Sequence, residues 1–408
     1  MAKSPSTCVK TSNPSFLSLF SGCGGLDLGF VNSGFVCQGA FDTDAGALAV
    51  HSANIPGQTF EWDLSAGRLP NGIPKVDVIL SGSPCQGFST IGKRRLDDLR
   101  NELLIATAKI VVEVGPRAVV VENVPGVAFG SHRKYWTQLI EILQRAGYAC
   151  KTLQLTAGDF GVAQMRRRLF LIAVVSGLSP ELKPKPSQRR TLKDVLSDLT
   201  YQTSTIPNHE PELLTDGTEH YRIAKRIKQG QKLCNVRVSE RAVHTWDIPE
   251  VFGETTPAEQ KVLNAVLRLR RRERLRRFGD ADPVLRSSVE RVVGFATRDV
   301  IEKLTLKGYI RKVGARVDLR HTFNGKYRRL DWNGLSLTVD TSFGNPKNFL
   351  HPKLQRGFTV REAARIQGFP DTFKFTGAVS DQFKFVGNAV PPPMAQAIAA
   401  EVSVLLQQ

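Results

Sequence analysis

Between residues 15 and 175 the chain alternates two kinds of apolar pattern. Short continuous runs lie at SFLSLF (15–20), VCQGAF (36–41), VDVILSG (76–82), AVVVENV (118–124) and RLFLIAVV (168–175). Their length and their Val, Ile and Leu content suit strands covered on both faces. Between them come LDLGFVNSG (26–34), DAGALAVHSAN (44–54), LLIATAKIVVEV (103–114) and YWTQLIEILQRAG (135–147), which have helical length and spacing. Strands alternating with helices in this way predict crossover units and a doubly wound, mostly parallel α/β sheet.

The pattern breaks near residue 180. SGLSPELKPKPSQRR (176–190) is rich in proline and cations and reads as a linker. Residues 190–350 show mixed short elements. Within them, KVLNAVLRLRRRERLRRF (261–278) predicts an amphipathic helix with a cationic face. RDVIEKLTLKGYIRKV (298–313) followed by RVDLRHTFNGKYRRLDW (316–332) predicts a helix and then a hairpin around Asn324-Gly325. Helix, helix and basic hairpin together suggest a winged-helix-like element. After residue 355, VREAARIQGFPD (360–371) predicts a helix, FKFVGNAV (383–390) a short strand or turn, and the final stretch a helix opened by proline.

Charge sharpens this division. The 408 residues carry a net charge of +18, which points to a polyanionic partner, nucleic acid first. Residues 261–330 hold 20 Lys and Arg against 7 Asp and Glu, so most of the excess is concentrated there. The six cysteines form no C-x-x-C pair, which predicts neither a metal site nor a disulfide framework and suits a reduced, cytoplasmic setting. The N-terminus lacks the apolar core of a secretory signal, and no apolar stretch approaches membrane-span length, so no membrane association is expected.

Four constellations carry candidate chemistry. In LFSGCGGLDLGF (19–30) a strand meets Gly22, Gly24 and Gly25 and then a helix, a turn that lets a ligand approach the backbone. Asp42, about twenty residues on, ends the next strand, where a carboxylate can hold ribose hydroxyls, and Asp63 could receive an adenine amino group. In SGSPCQGFST, Cys85 sits at a strand end between Pro84 and Gln86, where a thiol is exposed rather than packed. The basic loop that follows, from Ser89 to Arg100, could close over a phosphate backbone. In VVVENVPG, Glu122 ends a strand that should be buried. It is either a proton-handling group or a cap for the next helix. In AQMRRRLFLIA, Arg166 and Arg168 share one face of a strand and could clamp an oxyanion, or they could form a solvated basic edge.

In this order, FSGCGG, PCQ, ENV, QxRxR, VREAARIQGFPD and FVGNAVPPP make the chain resemble the DNA cytosine-5 methyltransferases. The likeness covers about 15–175 and 350–408. One position departs from it: Thr43 stands where the family places a large aromatic. The resemblance implies a catalytic, S-adenosylmethionine-binding domain at 13–180, a smaller basic target-recognition domain at 181–352, and a C-terminal segment, 353–408, that completes the first. It implies Cys85 as nucleophile, Glu122 as proton donor, and Arg168 with Arg166 at the ring oxygen. The cofactor would lie among Phe20, Gly22, Gly24, Gly25, Asp42, Asp63, Pro84 and Asn388. Contacts to duplex DNA would come from Gln86, Ser89, Arg100, Arg271, Arg272, Lys326 and Arg328. It further implies a monomer that acts on a flipped cytosine and is paired in function with a restriction endonuclease. An RNA cytosine methyltransferase, a DNA-binding regulator with an idle cofactor fold and a small-molecule methyltransferase are the alternatives. The concentrated basic block and the complete motif set argue against them.

Overall fold

The computed structural model describes residues 13–84, 102–130, 133–178, 182–199, 205–276 and 281–408. Its elements run β1 (Ser15–Leu19), α1 (Gly25–Val31), β2 (Val36–Asp42), α2 (Ala45–Asn54), β3 (Thr59–Glu61), β4 (Val78–Ser81), α3 (Leu103–Val114), β5 (Ala118–Asn123), α4 (Arg133–Arg145), β6 (Tyr148–Thr156), β7 (Arg167–Val175) and α5 (Leu192–Leu196). Next come α6 (Glu219–Arg226), β8 (Lys232–Cys234), β9 (Ala242–Val243), α7 (Pro249–Phe252), α8 (Pro257–Arg272), β10 (Val284–Leu285), α9 (Arg286–Val293), α10 (Arg298–Leu306), β11 (Ile310–Val313), β12 (Arg316–Leu319), β13 (Asn324–Lys326), β14 (Arg328–Arg329) and β15 (Phe349–Leu350). The chain closes with α11 (Val360–Gln367), α12 (Val379–Asn388) and α13 (Pro392–Leu406).

Contacts divide the chain into two compact units. The first comprises Met1–His209, Leu335–Thr341 and Val360–Gln408, and the second Glu210–Gly334 and Ser342–Thr359. The first unit is built on a seven-stranded sheet in the order β3-β2-β1-β4-β5-β7-β6. All its pairings are parallel except those of β7, which runs antiparallel to both β5 and β6. Every residue of β4 and β5 is buried, as their unbroken apolar runs require. Leu17, Ile79, Val119, Val121 and Leu171 meet Ile110 and Leu139 of the flanking helices in one core.

The predicted strands at 15–20, 36–41, 76–82, 118–124 and 168–175 are present. The edge strand β6 carries no apolar run, because only its first residue is fully buried. FKFVGNAV is not a strand or turn of its own, since it continues from helix α12. Stretch 379–406 as a whole has the length and hydropathy of a membrane span. It is broken into α12 and α13 at Ala389–Pro391. Helix α13 packs on α1, where a Cβ at Gly29 would lie 2.4 Å from that of Ala395. The proline-rich 176–190 stretch does not separate the units. Helix α5 beyond it belongs to the first, tied by Arg365, which donates to the Val195 carbonyl (3.2 Å) and to Asp198 (2.6 Å).

In the second unit, β10, β12 and β11 form one small sheet, and β13, β8 and β9 another. The hairpin expected at Asn324-Gly325 lies elsewhere. β11 and β12 turn at Gly314 (φ 59°), while Asn324 enters β13 and pairs with Cys234 of β8.

Candidate active site

A cavity of about 420 Å³ opens at the carboxyl ends of the parallel strands of the first unit, where open α/β sheets bind ligands. One wall is the β1–α1 loop. Phe20 (φ 53°), Gly22 (φ 53°) and Gly24 (φ 90°) all hold left-handed backbone there, a strained arrangement characteristic of ligand sites. One oxygen of the Asp42 carboxylate accepts from the Gly22 N–H (2.9 Å) and the other from the Asp44 N–H (2.9 Å), which clamps two loops together. Gly24 cannot carry a side chain, since its Cβ would lie 2.3 Å from Ile55 Cδ1 and 2.8 Å from His51 Cδ2. At Gly25 a Cβ would lie 2.4 Å from the Val390 carbonyl oxygen.

Beneath that loop Asp27 and His51 form a fully buried pair (2.8 Å), and Ser18 donates to the other Asp27 oxygen (2.7 Å). Cys37 joins them, with the three potential ligand atoms within 4.8 Å of one another. Both Asp27 oxygens are engaged, and burial, with Asp27 adding to it, pushes the Cys37 thiol far up. The trio is a polar knot that supports the loop.

Phe20, Gly22, Gly25, Asp42, Asp63, Pro84 and Asn388 all line the cavity. Gly24 stands behind it as the N-cap of α1. Asp63 also accepts from the Ser65 N–H (2.8 Å), so it caps a short turn as well as facing the cavity. Trp62, which sequence reasoning passed over, is a lining residue too. The aromatic missing at Thr43 is thus supplied one strand away. The signal was the tryptophan immediately before Asp63. Asp44 is a further lining residue. Burial would raise its carboxyl, but the Lys384 ammonium at 2.6 Å and backbone N–H groups outweigh this and hold it below the usual range.

Glu122 and Arg168 meet at the cavity edge, with Arg168 Nε 2.6 Å from Glu122 Oε1 and both side chains nearly buried. Burial raises the Glu122 carboxyl above its ordinary range, against the opposing pull of Arg168 and Arg166. The helix-cap alternative fails, because the turn at Pro125–Ala128 starts at Val124 with no side-chain cap. Next to it, Asn123 Nδ2 donates to the Ser83 carbonyl (3.3 Å) and hydroxyl (3.2 Å), fixing the strand end that precedes Pro84.

Arg166 lies one residue before β7, yet the alternation runs on through it: Arg166 is buried, Arg167 exposed and Arg168 half-buried, and both Arg166 and Arg168 act on the Glu122 carboxyl. What differs from expectation is the contact made by Arg166. Its buried guanidinium donates instead to the carbonyls of Val339 (2.9 Å) and Gly387 (3.0 Å). It fastens the end of α12 to segment 335–341 and does not line the cavity.

Cys85, Gln86, Ser89 and Arg100 lie outside the described residues. Among the described thiols, burial pushes Cys23 up to about 12 and Cys150 up to about 11, so neither offers a thiolate near neutral pH. Of the expected DNA contacts in the second unit, Arg271 and Arg272 are exposed at the end of α8. Lys326 donates to Asn348 Oδ1 (2.7 Å), and the half-buried Arg328 lies over Gly325.

Residues 15–403 match the C-5 cytosine-specific DNA methylase family. Type II methyltransferase M.XorII of Xanthomonas oryzae pv. oryzae is 33% identical, across 97% of this chain and 86% of the relative. Type II methyltransferase M.AgeI of Thalassovita gelatinovora is 29% identical across 96% and 99%. Among solved structures, a mutant of Spodoptera frugiperda DNMT2 shares the fold with a TM-score of 0.51 and 16% identity, over 97% of this chain and all of that one. The loop at Phe20–Gly25, the Glu122–Arg168 pair and this match converge: the chain belongs to the C-5 cytosine-specific DNA methylase family, enzymes that use S-adenosylmethionine to methylate cytosine in DNA.

Proposed function

We propose that this enzyme methylates C5 of one defined cytosine in duplex DNA, flipped out of the helix, through a transient bond between Cys85 and ring carbon C6. The observation that carries the reading is the nearly buried Glu122–Arg168 pair beside Pro84, the residue that leads into Cys85. The Cys85 thiolate adds to C6, and the displaced electron pair makes C5 nucleophilic. Glu122, whose carboxyl burial raises above its ordinary range, gives its proton to N3 as charge builds there. Arg168 stabilises O2 and orients Glu122. Once C5 carries the methyl group, a base takes the C5 proton and the electrons of that bond expel the thiolate. Arg166 positions Asn388 and the 335–341 segment.

S-adenosylmethionine, when bound, supplies the methyl group as an electrophile. The cavity suits it: Phe20, Trp62 and Leu64 offer apolar surface for a purine, Asp42 can take ribose hydroxyls, and Asp63 an amino group. Leaving aside the Glu122–Arg168 pair and Asp27, which is held by His51 and Ser18, the lining carboxylates Asp42, Asp44 and Asp63 outnumber the cation Lys384, which favours a positively charged sulfonium.

The first unit carries catalysis and the second, Glu210–Gly334 with Ser342–Thr359, reads the target. Flipping costs a few kcal/mol, which the 89–100 loop and the second unit's cations offset by gripping the duplex. The enzyme works as a monomer in the cytoplasm, at the nucleoid, with a cognate restriction endonuclease as functional partner. The type II names of M.XorII and M.AgeI support that pairing. The test is a duplex oligonucleotide bearing 5-fluorocytosine. Wild-type protein with the methyl donor should form a denaturation-resistant adduct. Cys85→Ala should form none and lose at least about 10³-fold in turnover while still binding DNA. An adduct in Cys85→Ala would remove the thiol from the mechanism.

A further inference from the structure

We propose that residues 257–320 form a DNA-reading winged helix inside the second unit, in which helix α10 reads bases in the major groove and the β11–β12 wing lies along the phosphates. The inference rests on the reading that the second unit recognises the target, and it names the element that does so.

The topology is the first support. Helix α8 precedes β10, α9 and α10 follow it, and β11 and β12 close a sheet in the order β10-β12-β11. This is a helix-turn-helix with a wing. It has its own core, in which Val262, Val266 and Leu269 of α8 pack with Val289, Ile301, Leu304, Val317 and Leu319. The turn between α9 and α10 is fixed by Glu290, which accepts from the Thr297 N–H (3.1 Å) and hydroxyl (3.2 Å). A rigid second helix is what base reading demands.

The chemistry of α10 is the second support. Ile301 and Leu304 point into the core. Arg298, Asp299, Glu302, Lys303 and Leu306 are exposed along the opposite stripe. Leu306 is 85% exposed, a large apolar side chain left in water. Arginine or lysine matches guanine, a carboxylate matches the cytosine amino group, and an apolar side chain matches the thymine methyl. A surface that merely gripped phosphates would carry no Asp299 or Glu302.

Charge selects the occupant. Residues 257–320 hold 17 Lys and Arg against 8 Asp and Glu. The wing's Lys312 stands 3.5 Å from Glu302, which brings a strand cation beside the reading stripe. Arg291 is exposed on the helix before the turn. Duplex DNA, the substrate of this family, fits a mixed polar stripe bordered by cations.

The test uses full-length protein and a library of random duplexes, scored by which cytosines become methylated. Arg298→Ala/Glu302→Ala should keep its fold, because both side chains are exposed, and circular dichroism with thermal melting checks this. Base preference should relax at least tenfold at two or more neighbouring positions. Lys312→Ala should weaken binding to all duplexes alike and lower the slope of log affinity against log salt by about one. A further variant, Lys326→Ala/Arg328→Ala, changes cations outside the winged helix. If it relaxes preference and the α10 variant does not, the winged-helix proposal falls and recognition by the second unit stands. If neither changes preference, both fall. A dimer in sedimentation that the α10 variant dissociates would make this face a protein contact and overturn the proposal.

Discussion

The two units each carry a cavity of nearly equal size, about 420 and about 400 Å³, with different chemistry. The first is walled by Phe20, Trp62 and five carboxylates beside two cations. The second is lined by Arg270, Arg276 and Arg311 against Asp282 and Asp318. In the first cavity Glu122 pairs with Arg168 and Asp44 with Lys384, Asp27 is held by His51 and Ser18, Asp42 and Asp63 accept from backbone N–H groups, and the backbone is strained at Phe20. In the second the charges are mostly spent on each other. Asp318 takes both Arg270 and Arg311, and Asp282 takes Arg276. The contrast separates a cavity whose carboxylates are held largely by backbone N–H groups from one whose carboxylates are held by arginines.

Glu122→Gln breaks the first side of the comparison and should have the largest effect. Glutamine keeps the size but cannot give a proton, so kcat should fall about 10²–10⁴-fold with methyl-donor affinity unchanged. The pH profile adds a sign. Burial holds the Glu122 carboxyl above its usual range, so the proton is present at low pH and lost as pH rises through the raised value. Wild type should therefore show a falling alkaline limb that Glu122→Gln lacks. Unchanged turnover would make the pair with Arg168 structural.

Asp318→Asn breaks the second side. Arg270 and Asp318 are both nearly buried, and breaking such a pair costs about 3–5 kcal/mol. Hydrogen exchange should accelerate in α8, β11 and β12, and DNA affinity should drop. Methyl-donor binding in the first unit should persist. Loss of both together would show that the units do not fold separately.

The sequence exposed the first cavity more fully than the second unit, for physical reasons. A glycine turn, a carboxylate after four apolar residues and a proline beside a thiol each violate local packing norms, so they are visible without partners. Arg166 looked the same as Arg168 because the two do share a face, and only the tertiary approach of the Val339 and Gly387 carbonyls to Arg166 separates their roles. Trp62 was hidden because it faces the cavity from beside Asp63, not beside Asp42. Asn324-Gly325 has turn chemistry, yet tertiary pairing of β13 with β8 overrides it, and the wing turns at Gly314 instead. Strand β6 was silent because an edge strand with one fully buried residue leaves no apolar period.

Gly25→Ala sharpens the comparison at the loop. Its Cβ would meet the Val390 backbone oxygen at 2.4 Å, and backbone yields less than a side chain. Overpacking of this kind costs about 1–3 kcal/mol. Melting of the free protein should fall by a few degrees. Donor affinity should fall too, since Val390 lines the same cavity. Gly25 lies outside the left-handed region, so close approach and not backbone strain sets the loss. Unchanged melting would show that the Val390 segment gives way at no cost.

The smallest effect on stability is expected at Glu302–Lys312, whose side chains are both more than half exposed. Exposed pairs of this kind contribute about 0–1 kcal/mol, so Glu302→Gln should leave melting almost unchanged. In the catalytic unit the exposed Asp44–Lys384 pair sits at the cavity, and Lys384→Ala should alter donor affinity with melting equally unmoved. If Glu302→Gln shifts base preference while Lys384→Ala does not, two weak surface pairs will have separated by function alone: one placed to meet bases, the other to meet the methyl donor.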